Sequence, residues 1–482
     1  MERLELELIS IFTLAAGWLI VIGLTLRIVM RRPPVGVSLA WLAVIFSVPL
    51  LGAFIYLLFG EKRLGRRRGA VAAANQAAYE RWLRQQAAFG LATAQLQSVA
   101  YVPLARQAAK VLGQGVMPGN SMTLLSDYVA FFTQLLADIA AARHSVDLAF
   151  YIWHEGGWAD AVGEALVAAT QRGVCCRVLV DAVGAKAFLR GEQAARLRRE
   201  GVILTAALPA SLLSTFAVRA DLRNHRKLAV IDHAIAYTGS QNLVDPRYFK
   251  RGAGVGEWVD AMVRVVGPAA TLLSGVFAVD WAIETRTAFV PPPPPPFVLP
   301  GGAIQVAPSG PDLHPGAMHQ LLLAALYSAE RELVLTTPYF VPDEAIVTAL
   351  ISAAQRGVAV SLVVPLRNDS KLVQYASASQ YDELLAAGVR IYRYAAGLLH
   401  TKSLTLDGAL SMFGSVNLDA RSLWLNFEIS LLLYDAAFTA TLRALQQRYL
   451  EVSLPLDLAE WRQRPRHCYL IENCCRLLGP LL

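Results

Sequence analysis

From Leu8 to Leu26 the chain is apolar, broken only by Ser10, Thr13 and Thr25, and from Val35 to Gly60 it carries no charged residue. An uncharged apolar run of about 18 residues or more can cross a roughly 30 Å hydrocarbon core as a helix. Neither run has a polar face, which a surface helix of a soluble domain would need. Residues 1–60 therefore read as two transmembrane helices, with a tight hairpin at Arg31-Arg32-Pro33-Pro34. The front, Glu2-Arg3-Leu4-Glu5, is not the basic start of a cleaved signal.

Beyond Gly60 the period changes. Residues 61–120 form a basic flank and then a connector, with Ala70 to Gln86 predicted to be helical and to lie near the membrane surface. Ser145 to Tyr151 reads as a strand, Trp158 to Arg172 as a helix and Val174 to Val180 as a buried strand. Glu332 to Tyr339, Asp343 to Arg356 and Val358 to Val364 repeat that order. Gln-Arg-Gly-Val stands between helix and strand both times, at Gln171 to Val174 and Gln355 to Val358. The pattern predicts an α/β protein of two similar lobes, residues 121–290 and 302–482, each a mixed, largely parallel sheet flanked by helices. Residues 291–301 join them through six consecutive prolines, Pro291 to Pro296, which form a stiff polyproline II spacer. Leu208 to Val218 is short, apolar and Ser-rich. It reads equally as a loop dipping into a bilayer or as part of a core.

Composition sharpens the membrane assignment. Hydrophobic residues make up 55% and charged residues 17%, with a mean hydropathy of +0.42, and the excess sits in the two N-terminal runs. Two spans return the chain to its starting side. Glu61 to Arg68 carries more cations than Arg27, Arg31 and Arg32 in the hairpin, so the positive-inside bias puts the remainder in the cytoplasm. A net charge of +7 beside a bilayer favours anionic headgroups. Nucleic acid is not indicated, because no basic stripe is interleaved with aromatics. Cys175, Cys176, Cys468, Cys474 and Cys475 show neither a C-x-x-C pair nor zinc spacing, so free thiols and no metal are expected. With no G-x-x-x-x-G-K-[ST] loop, nucleotide-driven chemistry is not expected, and no cofactor is implied.

The chemistry lies in a duplication. NHRKLAVID contains His225, Lys227 and Asp232, and LHTKSLTLD contains His400, Lys402 and Asp407, both as H-x-K-x-x-x-x-D. Seven residues past each Asp comes G-S-x-N, giving Ser240 with Asn242 and Ser415 with Asn417. Side chains two apart on an extended segment share a face. An imidazole can attack or shuttle a proton, and a neighbouring ammonium suits a phosphoryl oxygen. Two copies face to face would surround one phosphodiester, one His attacking phosphorus and the other protonating the departing alkoxide. The Ser and Asn would add hydrogen bonds to the phosphate. Each half also holds a later acid, Asp260 in EWVDAMVRVVG and Glu428 in LNFEISLLLYD, placed to fix an imidazole tautomer. The remaining histidines, His144, His154, His233, His314, His319 and His467, have no such company and read as structural.

The doubled H-x-K-x4-D with G-S-x-N resembles the phospholipase D superfamily. RNHRK before the first copy, NLDARSLWLNFE after the second and the chain end ENCCRLLGPLL are similar to its bacterial cardiolipin synthase branch. The resemblance implies two phospholipase D-like lobes sharing one site and a phosphohistidine intermediate. It implies that His225 and His400 are nucleophile and acid/base, that Lys227 and Lys402 bind phosphate, and that Asp232 and Asp407 complete the triads. The reaction implied is transfer from one phosphatidylglycerol to another, giving cardiolipin and glycerol, in a multi-pass protein of the bacterial inner membrane. Hydrolysis of phospholipids by the same residues is the alternative. His233 departs from the pattern, since Gly408 follows the Asp in the second copy. A local effect on the turn is expected there.

Overall fold

The computed structural model describes residues 2–31, 35–61, 66–86, 90, 96, 99–209, 219, 221–294, 300–311 and 315–479. The Arg32 to Pro34 turn, most of Leu208 to Val218, the end of the proline tract and His314 lie outside them. The chain divides into two compact units, Met1–Gly69 with Ala210–Leu222, and Ala70–Pro209 with Arg223–Leu482.

In the smaller unit the first run is a helix, Glu2–Arg31. The second is not one helix but two, Val35–Ser47 and Pro49–Phe59. Pro49 lacks an N–H and its ring disfavours helical backbone at the preceding residue. Val48 accordingly sits at φ −138°, ψ 80°. Among the described residues no helix is long and apolar enough to cross a membrane. Val21, Ile28, Ile45 and Tyr56 form a small core, while Trp18, Leu19, Met30 and Leu50 are exposed.

The larger unit is built on two lobes of matching order. The first supplies β1 (Met117–Leu125), β2 (Ser145–Phe150), β3 (Cys175–Asp181), β4 (Ile203–Ala207), β5 (Leu228–Ile231), β6 (Ile235–Gly239), β7 (Trp258–Val259) and β8 (Met262–Val266). The second supplies β9 (Gly302–Ser309), β10 (Glu332–Thr336), β11 (Phe340–Val341), β12 (Ala359–Pro365), β13 (Arg390–Tyr394), β14 (Leu398–Leu399), β15 (Ser403–Leu406), β16 (Leu410–Gly414), β17 (Leu418–Asp419), β18 (Glu428–Tyr434) and β19 (Ser453–Pro455). The main sheet runs β4-β3-β2-β5-β6-β8-β1 through the first lobe and continues β9-β18-β16-β15-β10-β12-β13-β19 through the second. Antiparallel pairing of β1 with β9 joins the two.

The expectation of largely parallel sheets is corrected. Only β2-β3-β4 and β10-β12-β13 pair in parallel, and the other neighbours in the sheet are antiparallel. Parallel neighbours need a crossover of a dozen or more residues. The helices Trp158–Gln171 and Glu344–Gln355 provide one in each lobe. Elsewhere tight turns such as 232–234 and 407–409 return the chain directly and force antiparallel pairs.

Helix starts are written locally. Asp127, Asp343 and Asp435 each accept the backbone N–H three residues on, from Ala130, Ile346 and Phe438. Such caps are worth about 1 kcal/mol each. Helix Arg66–Gln86 does not lie free as a surface connector. From Ala72 on, its Tyr79, Trp82 and Leu83 are buried in one core with helix Pro268–Thr285, where Trp82 fits over Gly275. Any side chain at Gly275 would collide with the indole, its Cβ falling 2.3 Å from ring carbons.

Candidate active site

The duplicated motif has two physical parts. The strands β5 and β15 occupy the four residues between Lys and Asp, and the Asp opens the hairpin turn. Asp232 and His233 have φ of 50° and 57°, and Asp407 and Gly408 have φ of 50° and 71°. Asp tolerates this left-handed backbone better than most residues. Asp232 accepts the backbone N–H groups of Arg143, His144 and Ser145. Asp407 accepts those of Glu330, Arg331 and Glu332, and the hydroxyl of Tyr101. Asp232 and Asp407, which the resemblance assigns to the triads, each anchor the entry to β2 or β10 at the strand end away from the imidazole. Replacing either with Ala should cost about 1–3 kcal/mol of stability, from three N–H groups losing their acceptor. Thermal unfolding would register that loss, while turnover well below the transition should stay within about threefold. His233, in the position of Gly408, is held in the turn by a 2.7 Å hydrogen bond to Ser274 Oγ.

At the other strand end the imidazoles converge on acids, with an exchange between lobes. His225 Nδ1 lies 2.9 Å from Glu428 Oε2, and His400 Nδ1 lies 2.6 Å from Asp260 Oδ1. Each histidine therefore takes its carboxylate from the opposite lobe. Backbone pairing enforces this. β14 runs parallel to β7, Leu398 beside Trp258 and Leu399 beside Val259, so His400 falls opposite Asp260. The His400 N–H donates to Val259 O. Equivalently, Asn224 bridges to Phe427, the His225 N–H donates to Phe427 O, and His225 falls opposite Glu428.

Lys227 and Lys402 are buried, each ammonium donating to the carbonyl of its own histidine, His225 or His400, at 2.8 and 2.7 Å. Each imidazole also feels the charge of the other lobe's lysine, so the four groups share one electrostatic environment. Burial pushes both histidines down to about 4 against the opposing pull of the facing acid, leaving neutral rings at pH 7. Burial likewise brings Lys227 down to about 7 and Lys402 to about 8. Burial works to raise Asp260 and Glu428, but the facing imidazole and buried lysine outweigh it and hold both below the usual carboxylate range. With each acid accepting from Nδ1–H, the ring lone pair is on Nε2.

The serines of G-S-x-N reach the acid-bearing strands. Gly239 and Gly414 end β6 and β16 where a Cβ would meet Ala261 O or Ile429 O at 2.5 and 2.3 Å. That close approach lets the next residue reach the acid-bearing strand. Ser240 Oγ accepts the Ala261 N–H, and Ser415 Oγ accepts the Ile429 N–H while donating to Glu428 Oε2 at 2.5 Å. Asn242 Oδ1 accepts the Ile152 N–H, and Asn417 donates to Ser422 Oγ. These four side chains were expected on the phosphate, and the hydrogen bonds they make are to protein groups.

Other residues had no signal in the duplication. Tyr151 stacks at an angle over His225, ring centres 5.0 Å apart, and Trp258 packs on His400 at 4.4 Å. Arg226 is fully buried and donates to Glu428 O and Ser309 O, with an ion pair to Asp280 of helix Pro268–Thr285. Its counterpart is Thr401, so comparing the repeats could not flag it. Among the described residues no group of His, Cys, Asp and Glu is arranged to hold a metal ion.

Comparison with known proteins follows the same architecture. The family described as cardiolipin synthase, PLD-like domain, matches residues 135–252 and 322–449. The phospholipase D-nuclease N-terminal family matches residues 16–61. Cardiolipin synthase A of Klebsiella pneumoniae strain 342 is 45% identical over 470 residues, covering 96% of this chain and 97% of that protein. Cardiolipin synthase A of Citrobacter koseri is 44% identical over 479 residues, covering 98% and 99%. Among solved structures, phosphatidylserine synthase of Haemophilus influenzae Rd KW20 has a TM-score of 0.61 at 14% identity, covering 78% of this chain and 99% of that one. The last likeness is one of fold.

Proposed function

Because this chain belongs to the cardiolipin synthase family of phospholipase D-like proteins, we propose that it is a phosphatidyltransferase making cardiolipin and glycerol from two phosphatidylglycerols. The observation that carries the mechanism is the exchanged pair of His–carboxylate contacts, which needs both lobes for either imidazole. His225 Nε2 attacks phosphorus, forming a P–N bond as the P–O bond to glycerol breaks. His400 gives its proton to the departing oxygen. A hydroxyl of the second phosphatidylglycerol then attacks phosphorus and passes its proton to His400, and the P–N bond breaks. One phosphodiester replaces another, so no activated nucleotide is required. His400 takes up the proton it needs from solvent as substrate binds, because an entering phosphate anion raises the pKa of that ring, while His225 stays neutral to attack. Lys227 and Lys402 neutralise the phosphoryl oxygens. Asp260 and Glu428 hold each ring and stabilise its cationic form.

The N-terminal helices are proposed to embed in the bacterial inner membrane as a multi-pass anchor, with the catalytic unit on the cytoplasmic side. Support comes from the exposed Trp18, Leu19, Met30 and Leu50 and from the basic flank after Gly60. Anionic phospholipid is then both substrate and surroundings.

Purified protein given only phosphatidylglycerol in micelles should release glycerol and cardiolipin in equal amounts. Phosphatidic acid as the main product would overturn transfer in favour of hydrolysis. The same assay has a pH signature. Each lysine is cationic below its lowered pKa and loses its charge as pH rises through it. The rate at low substrate should therefore fall as pH climbs from about 7 past 8, well short of the usual lysine range.

A further inference from the structure

The helix Arg466–Leu477 presents two apolar faces, and only one is packed. Trp461, Arg464 and Glu472 form its anchored side: Arg464 pairs with the buried Glu472 and lies over the Trp461 ring, and Cys468, Tyr469 and Cys475 are partly covered. At 100° per residue, Leu470, Ile471, Cys474, Leu477 and Leu478 fall within one stripe on the opposite side. All five are exposed, Leu470 at 66% and Leu477 at 81%. Single exposed apolar residues need no explanation, but a contiguous helical stripe does.

We propose that this stripe is a membrane-docking face that inserts at the headgroup level of an anionic bilayer beside the catalytic site. The charge around it selects that occupant. Arg466 borders the stripe, exposed and without an ion pair among the described residues. The helix's one acid, Glu472, is buried on the far side. A basic-edged apolar stripe is the pattern of an interfacial helix, and each cation near an anionic surface adds about 1 kcal/mol.

Placement supplies the second argument. The neighbouring helix Lys371–Ala378 packs along this one and extends its surface with exposed Tyr375 and Lys371. Two residues before that helix, Asp369 accepts from the Tyr339 hydroxyl at 2.9 Å, and the Tyr339 ring stands 6.5 Å from the His400 ring. Docking the stripe therefore sets the lipid surface against elements that lead straight to an imidazole. The inference deepens the phosphatidyltransferase reading and rests on it for the purpose of docking, though not for its detection.

The test uses the full chain with Cys474 as the only cysteine, labelled with an environment-sensitive fluorophore and reconstituted into phosphatidylcholine vesicles with or without phosphatidylserine. Phosphatidylserine-containing vesicles carrying a lipid-borne nitroxide should quench and blue-shift the label, with less effect in phosphatidylcholine alone. A label that stays water-exposed in both vesicles overturns docking, as does one shielded in detergent in proportion to protein concentration, which would mean a second copy covers the stripe. Leu470→Glu with Leu477→Glu, at solvent-exposed positions where folding is not at stake, should raise KM for vesicle-presented phosphatidylglycerol about tenfold. Turnover of a short-chain soluble analogue should not change. Unchanged KM on vesicles would also overturn the proposal. Because quenching is read without turnover, a quenched label on protein that makes no cardiolipin would count against the activity and not against docking.

Discussion

His225→Ala should lower phosphatidyl transfer by about 10⁴-fold or more, the scale seen when an enzyme loses its nucleophile. The ring is buried against Tyr151 and Glu428, and in the proposed mechanism His400 is committed to the leaving oxygen. His400→Ala should be comparably slow with phosphatidylglycerol but for a different reason, since the glycerol alkoxide leaves poorly without a proton. A phosphodiester with a p-nitrophenol leaving group separates the two, because that oxygen departs without acid help. His400→Ala should then release one equivalent of nitrophenol in a burst and hold a trapped phosphoenzyme, whereas His225→Ala should give none. The reverse pattern would exchange the roles of the two rings and overturn the assignment of His225 as nucleophile. Equal melting temperatures for the variants would exclude simple unfolding.

Much of this site was legible because duplication compares the chain with itself. Where both copies keep a residue in register, as at His225 and His400 or Lys227 and Lys402, the repeat marks the residues for which the proposed mechanism assigns roles. The strands LAVI and SLTL were equally plain, being short apolar runs closed by a turn residue. Two things escaped. The motif's Asp residues are as constant between the copies as the histidines, yet their constancy comes from turn geometry. A tally of repeated residues cannot separate an αL turn position from a catalytic one. The exchange of Asp260 and Glu428 between lobes also could not be read, since it depends on which short strands pair across the lobes, and β7 and β14 are only two residues long. Sheet direction failed for a related reason. Alternating helix and strand were visible around β2-β3 and β10-β12, but hairpins elsewhere decide the rest. Pro49 was in plain sight within the second apolar run, and hydropathy counted it as one more uncharged residue.

The exchange makes its own prediction, with an effect second only to loss of the rings. Glu428→Gln and Asp260→Asn preserve shape but remove the anion that holds Nδ1–H and stabilises the ring cation, and an amide can present its NH₂ and favour the wrong tautomer. Each should lower kcat by about 10²–10⁴-fold with KM little changed. Pairing across the lobes then fixes the pattern of non-additivity. Glu428→Gln should add little to His225→Ala, because the acid has no function without its own ring. The same change combined with Asp260→Asn should be slower than either alone, since two separate ring–acid units are damaged. If each acid instead served the histidine of its own lobe, Asp260→Asn would be the substitution masked by His225→Ala. Glu428→Gln should also behave as a local defect in β18, because Ser415 Oγ donates to the same carboxylate and binds the Ile429 N–H. Ser415→Ala should therefore depress turnover in the same direction by a smaller factor, about tenfold, by loosening Glu428 and not by touching phosphate. Burst kinetics with the p-nitrophenol substrate would separate the two acids, since Glu428→Gln should slow the burst and Asp260→Asn should leave it intact while slowing the transfer that follows.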